Sequence, residues 1–287
     1  MAEILFRDYD RAGLDREYDN QTKMPGFDFA GFLAHCNDES ARARKELACV
    51  LDVPFGPTPA ECLDIFKASL PNAPVHVFFH GGYWRMLDKK NFSYVALGFV
   101  PNDVTVVVVN YALIPSVRMD ALIAQCRRAL FWIADHIGEH GGDADQITIS
   151  GHSAGAHIAA MMLASDWKKE TGRAMPPLRH VCVLSGIFEL EPIRLCFLND
   201  VLGLQLDEVA RYSPRLLQRQ EWTPLSVVVG ADEGEEYLRQ TREFVGAWTG
   251  AKDCPREVVI QGINHFSMRE QLGVPGSEVV SLALGNY

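Results

Sequence analysis

Apolar residues along the chain fall into short β-branched runs separated by longer stretches of helical period. Val75–Phe79, Val104–Val109, Ile147–Ser150, Val181–Gly186 and Leu225–Gly230 carry too little polar alternation for half-exposed strands, so they predict strands buried on both faces. Glu257–Ile260 predicts a further strand, and Cys62–Phe66 alternates like an edge strand. Between them, Leu122–Ile137, closed by Gly138, and Ala156–Ala164, Glu236–Thr249 and Glu278–Leu284 have the spacing of helices. Asp28–Val50 also reads as helical, with Phe29, Phe32, Leu33, Leu47 and Val50 apolar and Pro54, Gly56, Pro57 and Pro59 ending it. The first 25 residues show little periodicity. Strands alternating with helices predict an α/β fold: a mostly parallel central sheet, helices on both faces and right-handed crossovers. In such sheets the chemistry lies beyond the strand C-termini.

Composition narrows this picture. A chain of 287 residues with 48% hydrophobic content can bury a large core, and no repeat, low-complexity tract or long linker divides it. The expectation is a single domain, 1–287, with an N-terminal helical or lid segment over 1–55 and the core over 56–287. A net charge of −10 without a basic cluster argues against nucleic acid and anionic membranes as partners. No apolar run approaches the ~18 residues of a membrane span, and Met1–Asp10 lacks an apolar signal core. The seven cysteines are scattered, odd in number and without a C-x-x-C pair, which suits reduced thiols in a cytoplasmic protein better than disulfides or zinc. No metal and no cofactor is expected.

Three motifs carry chemistry. Gly151-His152-Ser153-Ala154-Gly155 lies between a strand and a helix, the context of a nucleophile turn whose flanking residues must be small for strand and helix to pass closely. A serine hydroxyl needs an imidazole to take its proton. His265, in the loop after the last strand, is the best base of the nine histidines. His80-Gly81-Gly82-Tyr83-Trp84 follows another strand, and its glycines allow backbone amides to turn inward and meet a developing oxyanion. Gly81, Gly82 and Tyr83 are the candidate donors there, with Ala154 from the serine turn. A carboxylate that orients His265 should come from the loop Gly230-Ala231-Asp232-Glu233-Gly234; its spacing favours Glu233, while Asp232 is the more usual residue type.

Taken together the motifs resemble those of the α/β-hydrolase fold in its hormone-sensitive-lipase-like branch, and more narrowly of the kynurenine formamidase (arylformamidase) family. The narrower resemblance rests on His80–Trp84, on Gly151–His157, on Ser185–Ile193, on Asn199 and Ser213-Pro214, on Arg239-Gln240 and on Asn264-His265-Phe266. It runs from about Asp64 to Phe266. Two positions depart from it: Glu233 stands where the family usually has aspartate, and Arg85 where the animal enzymes carry a neutral amide.

The resemblance implies a Ser153–His265–acid triad and an acyl-enzyme that hydrolyses N-formylkynurenine to kynurenine and formate, a step of tryptophan catabolism. Tyr83, Trp84, His152, Phe188 and Asn199 are the expected substrate contacts. The stretch around Tyr18 and Asn20, with Glu191–Asp200, is expected to roof the pocket. The alternative is a broader carboxylesterase or aryl-amide or carbamate hydrolase with the same triad; a non-catalytic binding protein is disfavoured because no triad member is missing. The expected partner is a small aryl amide or ester, with homodimerisation left open.

Overall fold

The computed structural model describes residues 3–24, 26–250 and 254–286; Met1, Ala2 and Pro25 of the expected N-terminal segment, and Tyr287, lie outside the described residues. Its strands are β1 (Cys49–Pro54), β2 (Cys62–Phe66), β3 (Ala73–Phe79), β4 (Thr105–Val109), β5 (Gly142–His152), β6 (Leu178–Leu184), β7 (Leu225–Gly230) and β8 (Arg256–Ile260). They form one eight-stranded sheet in the order β1-β2-β4-β3-β5-β6-β7-β8. β2 runs antiparallel to β1 and β4, and every other pairing is parallel. The sheet is mostly parallel, as the strand pattern predicts.

The apolar runs are explained by burial on both sides. Val75, Val77, Phe79, Ile147, Ile149, Val181, Val183, Val227 and Val229 pack on one face, against the helices Met119–His136, Ala154–Ala164 and Glu235–Trp248. Their neighbours Phe78, Val106, Val108, Cys182, Leu184 and Val228 pack on the other, against Phe29–Glu46 and Glu278–Leu284. A period of two with both phases apolar is what two covered faces require.

Three local expectations are corrected. Helix Phe29–Glu46 stops before Leu47, which turns to φ −96° and ψ 147°, so Val50 belongs to β1 and not to the helix. The sheet therefore begins inside the expected N-terminal segment, upstream of residue 56. β1 covers β2, and Cys62–Phe66 is consequently an interior strand, almost wholly buried, not an edge. The first residues also hold a helix, Arg11–Tyr18, capped by Asp10, whose carboxylate accepts from the Gly13 amide at 2.7 Å. Leu14 and Tyr18 anchor it in the main core. All seven cysteines are unpaired. Among the described residues no helix is long and apolar enough to cross a membrane.

β3, β5, β7 and β8 are parallel, so the segments that follow them emerge at one end of the sheet. Those segments carry His80–Tyr83, Ser153, Glu233 and His265.

Candidate active site

Ser153 sits between β5 and helix Ala154–Ala164 with φ 57° and ψ −118°, a conformation that L-residues rarely hold. Its amide donates to the Leu184 carbonyl at 2.9 Å, which ties the tip of the turn to β6. The small neighbours are obligatory. A Cβ on Gly151 would collide with the Gly155 carbonyl, and one on Gly155 with the Phe79 carbonyl. Gly81 passes so close that a Cβ there would lie 2.9 Å from the His152 carbonyl oxygen and 3.3 Å from Ser153 Cβ. Gly81 of one motif is thus a steric consequence of the serine turn of the other, whereas a Cβ on Gly82 would strike the Met86 carbonyl.

The turn after Gly81 is tightly wound. Gly82 (φ 115°), Tyr83 (φ 49°) and Trp84 (φ 57°) are consecutive positive-φ residues, and the Gly82 carbonyl accepts from the amides of Arg85 and Met86 at 3.0 and 3.1 Å. His80 braces it from below: Nδ1 donates to the Gly81 carbonyl at 2.8 Å, the Tyr111 hydroxyl donates to the His80 carbonyl at 2.6 Å, and the two rings stack at 4.3 Å.

His265 opens the helix His265–Gln271, just after the expected loop, behind the Asn264 cap. Its Nδ1 donates to Glu233 Oε2 at 2.8 Å. The other oxygen of Glu233 accepts from the Ser185 hydroxyl at 2.5 Å and the Gly230 amide at 2.7 Å. Asp232 is exposed, and its amide, not its carboxylate, bonds to the Ile263 carbonyl. Burial raises the Glu233 carboxyl above its ordinary value, opposed by the Ser185 and Gly230 bonds, which favour the charged form. Burial, with the charges of Lys23 and Arg269, holds His265 well below its ordinary value. An imidazole that stays neutral with Nδ1 protonated leaves Nε2 as the free base.

The cavity at this end of the sheet measures about 230 Å³. Gly81, Gly82, Tyr83, His152, Ser153 and His265 share its wall. Tyr18 and Asn20 from the first of the segments expected to roof the pocket, and Phe197 and Leu198 from the second, also line it. The first segment is no loose flap: Asn20 Nδ2 donates to the hydroxyls of Tyr83 (3.2 Å) and Tyr237 (3.0 Å), and the Tyr18 hydroxyl donates to Glu236 at 2.7 Å.

Three expected substrate contacts are off this wall. Trp84 is buried with its indole N–H on His157 Nδ1 at 3.2 Å; Phe188 stacks on Phe244 at 4.1 Å; and Asn199 accepts from the Leu204 amide at 2.6 Å within its own loop. Each is committed to packing or to a turn, which corrects the expectation for Trp84, Phe188 and Asn199. Gln240 plays a similar tying part, its Oε1 accepting from the amides of Phe188 (2.6 Å) and Glu189 (2.8 Å).

Other residues at the site escape sequence reasoning. Tyr237 lies with its ring 4.7 Å from that of His265, and its hydroxyl meets that of Tyr83 at 2.9 Å. Lys23 donates to the Glu233 carbonyl at 2.8 Å. Lys23 sits in an aperiodic stretch and Tyr237 on a helix that its spacing predicts, but neither stretch carries a sequence signal for a place at the site. Among the described residues no cluster of three or more His, Cys, Asp or Glu side chains could hold a metal ion.

Sheet order, serine turn and histidine-bearing segment define an α/β-hydrolase. The BD-FAE family model matches residues 63–182. Kynurenine formamidase of Danio rerio is 32% identical over 238 residues, covering 80% of this chain and 79% of the relative. Esterase LipQ of Mycobacterium tuberculosis is 36% identical over a shorter stretch of 133 residues, 42% of this chain and 30% of the relative. Among solved structures, a protein described as a thioesterase from Silicibacter sp. TM1040 superposes with a TM-score of 0.84 at 27% identity, covering 94% of this chain and 98% of that one. The chain belongs to the kynurenine formamidase family. It is a hydrolase of the arylformamidase or carboxylesterase type, acting on amide or ester substrates.

Proposed function

We propose that the chain is a serine hydrolase that cleaves aryl formamides, converting N-formylkynurenine to kynurenine and formate through a Ser153–His265–Glu233 triad. The observation that carries this reading is the 2.8 Å bond from His265 to the buried Glu233, in the cavity that also holds the strained Ser153 turn. Kinship with kynurenine formamidases supports the choice of substrate.

In this reading His265 Nε2 takes the Ser153 proton as Oγ attacks the formyl carbon. The carbonyl oxygen becomes an oxyanion held by amides of the Gly81–Tyr83 turn and of Ala154. The Ser153 amide, already given to Leu184, takes no part. Each such donor contributes ~3 kcal/mol to the transition state. The imidazolium then protonates the aryl nitrogen as the C–N bond breaks, releasing the arylamine and leaving a formyl ester on Ser153. Water, deprotonated by His265, attacks that ester to release formate and restore the serine. Glu233 holds the tautomer and balances the transient cation.

The test is kcat/KM for N-formylkynurenine against short p-nitrophenyl esters and aryl carbamates. A formamide preference of at least about tenfold, ~1.4 kcal/mol, is expected. A smaller ratio would favour the broader esterase reading, which the local likeness to LipQ supports.

The pH profile is a second prediction. His265 acts only when unprotonated, so activity is lost as pH falls through its pKa, and a lowered pKa moves that loss to more acidic conditions. Because burial holds His265 well below 6.5, kcat/KM at about pH 6 should remain within about twofold of its neutral plateau. An acidic limb centred at or above 6.5 would contradict it.

A further inference from the structure

The cavity beside Ser153 carries a cation that no described residue neutralises. Arg269 stands one helical turn after His265, so both side chains project from the same face of the helix His265–Gln271. It lines the cavity, yet the residue is only 4% exposed. Its guanidinium lies over the rings of Phe32 and Phe92, with centroids at 4.7 and 4.8 Å, which fixes its plane. Nε and Nη2 are buried without a hydrogen-bond partner.

The buried Lys89 and the partly buried Arg239 are treated differently. Lys89 pairs with Asp64 at 2.7 Å, and Arg239 pairs with Glu236 at 2.6 Å and Glu189 at 2.9 Å. A buried charge with unused donors is costly unless an anion completes it. Arg85, on the same wall, also has a buried Nε without a partner. The one carboxylate on that wall, Asp19, accepts from the amides of Gln21 and Thr22 at 3.2 and 3.3 Å. Two guanidiniums facing one cavity with open donors describe a site for a planar oxyanion, which a guanidinium fork binds bidentately.

We propose that Arg269, assisted by Arg85, binds a carboxylate on the leaving-group arm of the substrate, so that the enzyme selects anionic aryl amides or esters over neutral ones. This rests on the reading of Ser153 as nucleophile: with the scissile carbonyl at Ser153, the anionic arm reaches the guanidinium that shares the cavity. The acyl side cannot supply the anion in a formamide, because a formyl group has no side chain.

The experiment uses two substrate pairs: an ortho-acyl formanilide ending in a carboxylate or in its carboxamide, and the aryl acetates ending in the same two groups. The wild-type enzyme should favour the carboxylate member by about ten- to hundredfold in kcat/KM. R269Q should bring that ratio close to one, and R269K should leave an intermediate ratio, because an ammonium keeps the charge and loses the fork. A wild-type ratio near one in both pairs, or an undiminished ratio in R269Q, overturns the proposal. If R269Q gives no cooperative melt, the wild-type ratio and R269K decide it alone, and an undiminished ratio in R269K overturns it. Formate tests the other source of a carboxylate. Formate inhibition lost in R269Q, with no wild-type preference between the pairs, would make Arg269 a product site and overturn the proposal. Failure of the formamide reading shows separately, as turnover of the acetates but not of the formanilides.

Discussion

Replacing Ser153 by alanine should lower kcat by about 10⁶-fold and leave the thermal midpoint within a few degrees of the wild type. The hydroxyl is the atom that would attack, and no other side chain on the cavity wall combines a nucleophilic oxygen with a base and an adjacent amide turn. The fold should survive because what holds the turn is backbone and absence of side chain: the Ser153 amide on Leu184, and the bare Cα atoms of Gly151, Gly155 and Gly81. Alanine keeps the strained φ of 57°, so the backbone cost is the same before and after. A fluorophosphonate probe should label the wild type and not the variant. His265→Ala should be similarly damaging, since nucleophile and base act as a unit. If either variant retains more than about a tenth of wild-type kcat, the Ser153–His265 assignment is wrong.

The parts of this molecule that the sequence makes legible are those under steric or solvent constraint along the chain itself. Val104–Val109 reads as a buried strand because both faces of the sheet are covered there, and Gly151-x-Ser153-x-Gly155 reads as a turn because Cβ atoms would strike the Gly155 and Phe79 carbonyls. The helix Arg11–Tyr18 is hidden because only Leu14 and Tyr18 face the core, and its remaining residues carry no apolar stripe. β1 is hidden because an edge strand with exposed Leu51 and Asp52 alternates weakly, and it follows the helix Phe29–Glu46 after only a short break.

The site divides in the same way. Motifs on strand ends can be found because topology alone brings them together. Arg269 reaches the cavity, Tyr237 the His265 ring and Lys23 the Glu233 carbonyl from helices and a loop whose placement depends on tertiary packing. Trp84 and Phe188 err in the opposite direction. An aromatic beside a catalytic motif looks available for substrate, but the His157 ring and the Phe244 ring already occupy them.

Glu233→Gln should cost about 10⁴ in kcat, while Asp232→Asn should change it by less than about threefold. The difference follows from what each carboxylate oxygen does. Glu233 Oε1 accepts from Ser185 and Gly230, and Oε2 accepts from His265 Nδ1. Both positions therefore face donors. A glutamine has one acceptor and one donor to offer. If its oxygen takes the Ser185 and Gly230 side, its NH₂ points at Nδ1 and selects the tautomer with Nε2 protonated, which cannot take the serine proton. If the amide turns over to serve His265, its NH₂ meets the Gly230 N–H, which is left buried without its acceptor. Either orientation loses the base or strains the loop. Asp232 escapes the dilemma because its side chain is exposed and serves no ring nitrogen. The two variants, purified and assayed together with a melting curve for each, separate orientation from folding. A crippled Asp232→Asn beside a mild Glu233→Gln would move the acid to Asp232 and would require this loop to rearrange when substrate binds.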